Sequence, residues 1–234
     1  MIDAHSHVLP GMDDGSRSVR QSLSMLQKMA EQGITTAAAT PHFYASSTEP
    51  SRFFEKRQAA KEKLLNGGEC PVELRLGAEV LYYEGLQKQE RLMDFRIEGT
   101  QLFLLEMPFG AWSDRAIRGI LDLNTQRNLT VVLAHIDRYL AWQPISVFEE
   151  LASRGVLMQV NAGSLLHWQT RRKTLQLFLM GLVQFIGSDC HDDTERAPNV
   201  ASAMAVLEKK LGPEAVSVLL EAEEDMVRCR EYVV

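Results

Sequence analysis

The chain opens MIDAHSHVLPGMDDGS over residues 1–16. Its first apolar run, Ile2–His5, has the character of a short strand and ends in His5-Ser6-His7, ahead of a loop carrying Asp13 and Asp14. His5 and His7 are two residues apart, so an extended backbone turns both imidazoles to one side. The same layout, an apolar run followed by a histidine or an acid, recurs along the rest of the chain. Further β-like runs are expected at Ile34–Thr40, Val72–Ala78, Gln101–Leu105, Thr130–Ala134, Val156–Val160 and Leu182–Gly187. All are short and largely apolar, as strands buried on both faces are.

Helical periodicity fills the intervals. In Ser18–Gln32 the apolar residues Val19, Leu23, Leu26 and Ala30 recur at three- and four-residue steps, and Gly33 supplies a stop. Ser51–Leu65 and Ser113–Arg127 read the same way, and Val200, Met204, Leu207 and Leu211 share one face of Val200–Leu211. Alternating β and α units predict parallel strands with helical crossovers. Seven strands without a break predict an irregular β/α barrel, in a single domain over 1–234. A doubly wound open sheet is the weaker alternative, because no GxGxxG fingerprint follows the first strand.

In a parallel barrel the C-terminal strand ends meet at one rim. The residues expected there are His5, His7, Asp14, His42, Glu79, Glu106, His135, Asp189 and His191. Imidazole and carboxylate together, without thiolate, suit divalent transition metals such as Mn, Fe or Zn. Nine candidate ligands exceed what one ion takes and predict two or three ions. Asp13 reads instead as a turn or capping residue before Gly15, His167 as a surface or packing residue, and Cys190 as a small buried side chain. Arg138 and Arg196 follow His135 and His191 closely, and guanidinium forks beside metals match the oxygens of a phosphate ester.

Composition sets the boundaries of this reading. With 25 basic and 31 acidic residues the net charge is −6, so no basic track for a nucleic-acid backbone is expected. An apolar fraction of 45% in 234 residues supports a sizeable core and excludes intrinsic disorder. Cys70, Cys190 and Cys229 are widely spaced, form no CxxC pair and suggest a reducing compartment. The N-terminus lacks a signal-peptide pattern, and the longest apolar region, Leu177–Ile186, is too short to insert in a membrane. A cytoplasmic protein is expected.

The segments MIDAHSHVLPGMDDGS, GITTAAATPHFY, LGAEVLYY, LFLLEMP, VVLAHIDRY, VLMQVNAGSL and IGSDCHDDTERAP carry a resemblance that covers most of the chain, from Met1 to Pro198. In this order they resemble the polymerase-and-histidinol-phosphatase (PHP) superfamily, and within it the manganese-dependent tyrosine-protein phosphatases of bacterial capsule and exopolysaccharide loci. The resemblance implies a distorted (β/α)7 barrel of the PHP type with up to three metal ions, Mn foremost and Fe, Co or Zn possible alternatives. It implies ligand roles for the nine residues above and phosphate contact for Arg138 and Arg196. It also implies a partner, the phosphotyrosine-rich tail of a membrane-associated bacterial tyrosine kinase. Two departures stand out: Asp137 replaces a frequent Glu, and the closing Asn-Pro-Arg-like segment of relatives is not evident in Glu223–Val234.

Other readings remain at this level. A histidinol phosphatase or another small-molecule phosphomonoesterase would show the same core ligands. A metal-dependent amidohydrolase often uses a strand-end lysine, yet all eight lysines fall outside the expected strand ends. A non-catalytic metal-stabilised module and a proofreading nuclease are the remaining classes; the full donor set argues against the first and the missing basic track against the second.

Overall fold

A computed structural model describes residues 1–228; Cys229 and the rest of the C-terminal segment lie outside the described residues. All seven expected strands are present, with two of them carried across a break. The strands are β1 (Ile2–Ser6), β2 (Thr36–Ala39), β3 (His42–Phe43), β4 (Glu73–Leu76), β5 (Glu79–Leu81), β6 (Leu102–Glu106), β7 (Thr130–Leu133), β8 (Leu157–Asn161) and β9 (Phe185–Gly187). Every pairing is parallel, in the orders β1-β2-β4 and β3-β5-β6-β7-β8-β9. The circuit closes where Ser6 bridges Cys190, with His7 N–H donating to Cys190 O at 3.0 Å and Asp189 N–H to His5 O at 2.8 Å. The curled sheet is a PHP-type distorted barrel of seven staves, two of them broken.

The breaks have local causes. Between β2 and β3 stands Pro41, which has no N–H to give to the ladder. Between β4 and β5 a Cβ on Gly77 would come within 3.1 Å of both Ile97 and Thr40, so the chain crosses there at close quarters. Backbone bonds run on through both breaks, from Gly77 N to Ala39 O at 2.9 Å and from Glu79 N to Pro41 O at 3.1 Å. Within the expected run Val72–Ala78 the strand therefore stops at Leu76, and Glu79 begins a new strand rather than ending an old one.

The helices α1 (Val19–Glu31), α2 (Pro50–Gly67), α3 (Asp114–Asn124), α4 (Ile136–Tyr139), α5 (Ile145–Ser153), α6 (Ala162–Leu166), α7 (Trp168–Leu179), α8 (Val200–Leu211) and α9 (Pro213–Arg228) fill the intervals. Ser18 caps α1 by accepting from Gln21 N, and Ser113 caps α3 by accepting from Ala116 N. Gly33, at φ 78°, ends α1 in the left-handed region as its sequence predicts. The helices bury one apolar layer against the outer strand face, including Met25, Leu26, Phe103, Leu133 and Val160. A second, smaller cluster plugs the barrel interior: Ala4, Ala38, Ile97, Leu102, Leu104, Val132, Ala134 and Phe185. Among the described residues no helix is long and apolar enough to cross a membrane.

Candidate metal centre

Above the apolar plug the interior changes chemistry. The strand β1 carries a register shift: Asp3 pairs with Ala37, but Ser6 pairs with Ala39, so one extra residue lies between them. Such a bulge re-aims side chains. Ala4 packs in the interior plug, and His5, its neighbour, also enters the interior, against Glu79 and Asp189. Plain alternation puts His5 and His7 on one side; the bulge is what makes that side the inside. Gly187 on β9 leaves the room, because a Cβ there would meet His5 Cβ at 2.5 Å.

Other donors arrive by register. His42 on β3 pairs with Glu79 on β5, and Glu79 pairs with Leu104 of the plug, so both face inward. Glu106 lies two residues beyond Leu104 on the same face of β6. His135 and Asp189 follow β7 and β9 with φ of 34° and 50°, in the left-handed region that costs a non-glycine residue energy. Asp189 therefore interrupts the extended strand end that the Asp189-Cys190-His191 spacing suggests, although Cys190 still bridges Ser6. Cys190 is nonetheless buried, as expected, and His167 is exposed.

All nine expected residues come together. Three groups of donor atoms each lie within 4.8 Å of one another: His7, Asp14, His42 and His191; His5, His7 and Asp189; His42, Glu79 and Glu106. His135 adjoins the third group, with Nε2 at 2.8 Å from Glu79 Oε1 and 3.6 Å from Glu106 Oε1. His7 and His42 each belong to two groups, so the groups abut. Asp14, with a side chain 67% exposed, closes the set from the loop, 3.4 Å from His191 Nε2.

This arrangement is poorly satisfied by its own members. His5 Nε2 and His7 Nε2 face each other at 3.1 Å, so the two nitrogens share at most one proton. Glu79 Oε2 and His42 Nδ1 approach to 2.9 Å, yet both buried atoms lack a hydrogen bond. Buried polar groups without partners are rare and costly. Lone pairs from several imidazoles and acids aimed at shared points are what divalent cations satisfy, and the residues present fit a multinuclear site. The electrostatics agree. Burial alone would raise the Glu79 carboxyl, but the His5 charge and contacts from His135 and His42 hold it well below its usual range. Burial and the neighbouring Glu79 charge push Glu106 up to about 7. Burial and the His7 charge bring His191 down to about 4.

Both arginines reach the rim and engage one acid. Arg138 Nη2 lies 2.5 Å and Arg196 Nη2 3.2 Å from Asp189 Oδ2. They remain 37% and 43% exposed, open to solvent on the outer side. Three supporting residues lie outside the nine expected ligands, although Asn161 stands at the end of its strand. Asp13 does serve the turn, accepting from Gly15 N at 2.9 Å, but its Oδ2 also takes His7 Nδ1 at 2.7 Å and His42 N–H at 2.8 Å. Burial opposes its charge, and His7 nonetheless lowers its pKa to about 2. Gln159 Oε1 contacts His5 Nδ1 at 3.3 Å and accepts from His135 N at 2.6 Å. Asn161 Nδ2 donates to Asp189 Oδ2 at 2.8 Å. Such partners fix ring orientation in metal sites. The available signal was their inward spacing: Gln159 and Asn161 are polar residues two apart on an otherwise apolar strand.

Comparison with known proteins gives the same picture. Residues 1–227 match a family model described as "Capsular polysaccharide synthesis, CpsB/CapC". The tyrosine-protein phosphatase YwqE of Bacillus subtilis (strain 168) is 30% identical over 236 residues, covering 97% of this chain and 92% of the relative. A solved structure from work on YwqE of Bacillus subtilis and CpsB of Streptococcus pneumoniae, described as unique metal-dependent tyrosine phosphatases, superposes with a TM-score of 0.86 at 29% identity, covering 99% of this chain and 96% of that one. Histidinol phosphate phosphatase from Lactococcus lactis, solved with zinc, L-histidinol and phosphate, shares the fold at a TM-score of 0.60 and 14% identity, covering 89% of this chain and 92% of that one.

Proposed function

The chain belongs to the CpsB/CapC family of capsular polysaccharide synthesis, and from that premise we propose that it is a metal-dependent protein-tyrosine phosphatase linked to capsule or exopolysaccharide regulation. The observation that carries the reading is the convergence of imidazoles and carboxylates in three abutting groups, with Arg138 and Arg196 at their edge. In this reading residues 1–234 act as one phosphatase domain. His5, His7, Asp14, His42, Glu79, Glu106, His135, Asp189 and His191 hold two or three divalent ions, with Mn as the working metal. The substrate is the phosphotyrosine-rich tail of a membrane-associated tyrosine kinase, met in the cytoplasm.

Divalent cations held by these nine residues would supply Lewis acidity and a nucleophilic water near neutral pH. The chain supplies the rest. Arg138 and Arg196 exchange their contacts with Asp189 for the phosphoryl oxygens and offset the charge that grows on them during in-line attack. Asp13 and Gln159 keep the rings of His7 and His5 turned inward. The leaving tyrosyl oxygen has a phenol pKa of about 10, so it departs without a strong general acid.

The test is hydrolysis of a phosphotyrosine peptide by metal-stripped protein restored separately with Mn, Fe, Co or Zn, with histidinol phosphate assayed in parallel. Recovery of peptide hydrolysis, best with Mn, is expected. Absence of hydrolysis with every metal overturns the reading, and preference for histidinol phosphate moves it to the small-molecule branch.

A further inference from the structure

Four of the five imidazoles at the barrel mouth form a row, and the fifth, His191, lies beside it against His7 at 4.0 Å. Ring centroids are 4.6 Å apart for His42 and His7, 5.2 Å for His7 and His5, and 5.8 Å for His5 and His135. An exposed aromatic ring closes each end: Tyr44 on His42 at 5.1 Å and 22°, and Phe109 on His135 at 6.1 Å and 19°. The ends differ in character. Tyr44 stands in the field of Glu106, Glu79, Asp14 and Asp13. Phe109 stands among rings, 5.8 Å from Tyr139 and 5.9 Å from Trp142.

Phe109 is 55% and Trp142 47% exposed, although side chains of this kind gain most from leaving water. Their neighbour α4 carries Arg138, whose guanidinium is already at the donor cluster. An apolar wall and a phosphate-matching cation are thus presented side by side at the edge of the same site. In a phosphotyrosine a single ester oxygen joins phosphorus to the ring, so a phosphoryl group held by Arg138 brings its aryl group to such a wall.

We propose that Phe109, backed by Trp142, is the surface on which the substrate's aryl ring lies, and that it makes the site prefer aryl over alkyl phosphate monoesters. The proposal rests on the phosphotyrosine reading and names the group that gives it selectivity. Offset stacking of one further ring corresponds to a preference of about five-fold.

The deciding experiment measures binding, apart from turnover. Mn-loaded protein is titrated calorimetrically with phenylphosphonate and with methylphosphonate, whose C–P bonds resist hydrolysis. The unmodified chain should bind the phenyl compound about five-fold more tightly. Phe109→Ala should abolish that preference with methylphosphonate affinity and metal content unchanged, and Phe109→Trp should keep it. With phosphotyrosine peptide, Phe109→Ala should raise KM by about the same factor and leave kcat within about two-fold. No preference in the unmodified chain, a preference that survives in Phe109→Ala, or an equal loss for both phosphonates overturns the proposal. Failure of peptide hydrolysis with every metal would instead strike the phosphatase reading, and the phosphonate result would still decide whether Phe109 reads aryl groups.

Discussion

The lower and upper halves of the barrel interior are built from the same strands but follow opposite rules. Below, Ala4, Ala38, Leu104, Val132 and Phe185 fill space with apolar atoms. Above, further along those strands or just past them, His5, Glu106, His135 and Asp189 crowd polar atoms together, and His135 Nδ1, like Glu79 Oε2 and His42 Nδ1 beside it, lacks a hydrogen-bond partner. In β6 the switch takes two residues, from Leu104 to Glu106. In β1 it takes one, because the bulge turns His5 inward beside Ala4. The lower half stabilises the fold by burial. The upper half holds buried ionisable groups and two left-handed non-glycine residues, costs that persist at sites where strain or charge serves chemistry.

Substitutions should separate the halves, beginning with the largest effect. Glu79→Gln keeps the shape of the side chain but removes the charge at the junction of four histidines; kcat/KM for phosphotyrosine peptide should fall by about a thousand-fold, with the circular dichroism spectrum unchanged. Activity within ten-fold of the parent would place the chemistry elsewhere. In the plug, Leu104→Ala should cost about 3 kcal/mol in urea unfolding while the folded fraction keeps its turnover. A large loss of turnover at full folding would mean that the plug and the rim are one functional unit.

Arg138→Ala should lower kcat/KM by about a hundred-fold without altering metal content, and Arg196→Ala should act in the same direction. Unchanged kinetics in both variants would remove their phosphate role. The smallest effect on activity lies at the end opposite the rim, where α9 brings Glu223 beside Ile2 and Ile186. Burial raises its pKa to about 8, well above the usual carboxylate range. An acid whose folded pKa is raised leaves stability unaffected below its unfolded pKa and penalises the folded state increasingly up to the folded pKa. Stability should therefore decline as pH rises from about 4.5 to about 8. Glu223→Gln should flatten that slope with little change in activity; an unaltered slope measured by chemical denaturation would show that this carboxyl does not govern it.

Much of the fold and of the donor set was legible because parallel strands carry short apolar runs and place their C-terminal ends together. Val200–Leu211 matches its expected limits, and all nine donors meet. What escaped the sequence depended on long-range register. The bulge in β1 is set by pairing with β2, and nothing in Asp3-Ala4-His5-Ser6 announces it. The left-handed conformations of His135 and Asp189 occur in residues whose types do not require them. Asp13 looked like a turn residue and is one, but the ring of His7 and the backbone of His42 reach it only when the loop folds back over the barrel mouth.

On the proposed function, donors contributed by separate staves form one multinuclear cation site needed for phosphate ester hydrolysis. Inductively coupled plasma mass spectrometry on the active protein, titrated with Mn and washed free of excess, tests it most directly. Two or three Mn per chain, with activity rising in step with occupancy, is the predicted result. Full phosphatase activity in a preparation with no bound metal would contradict it.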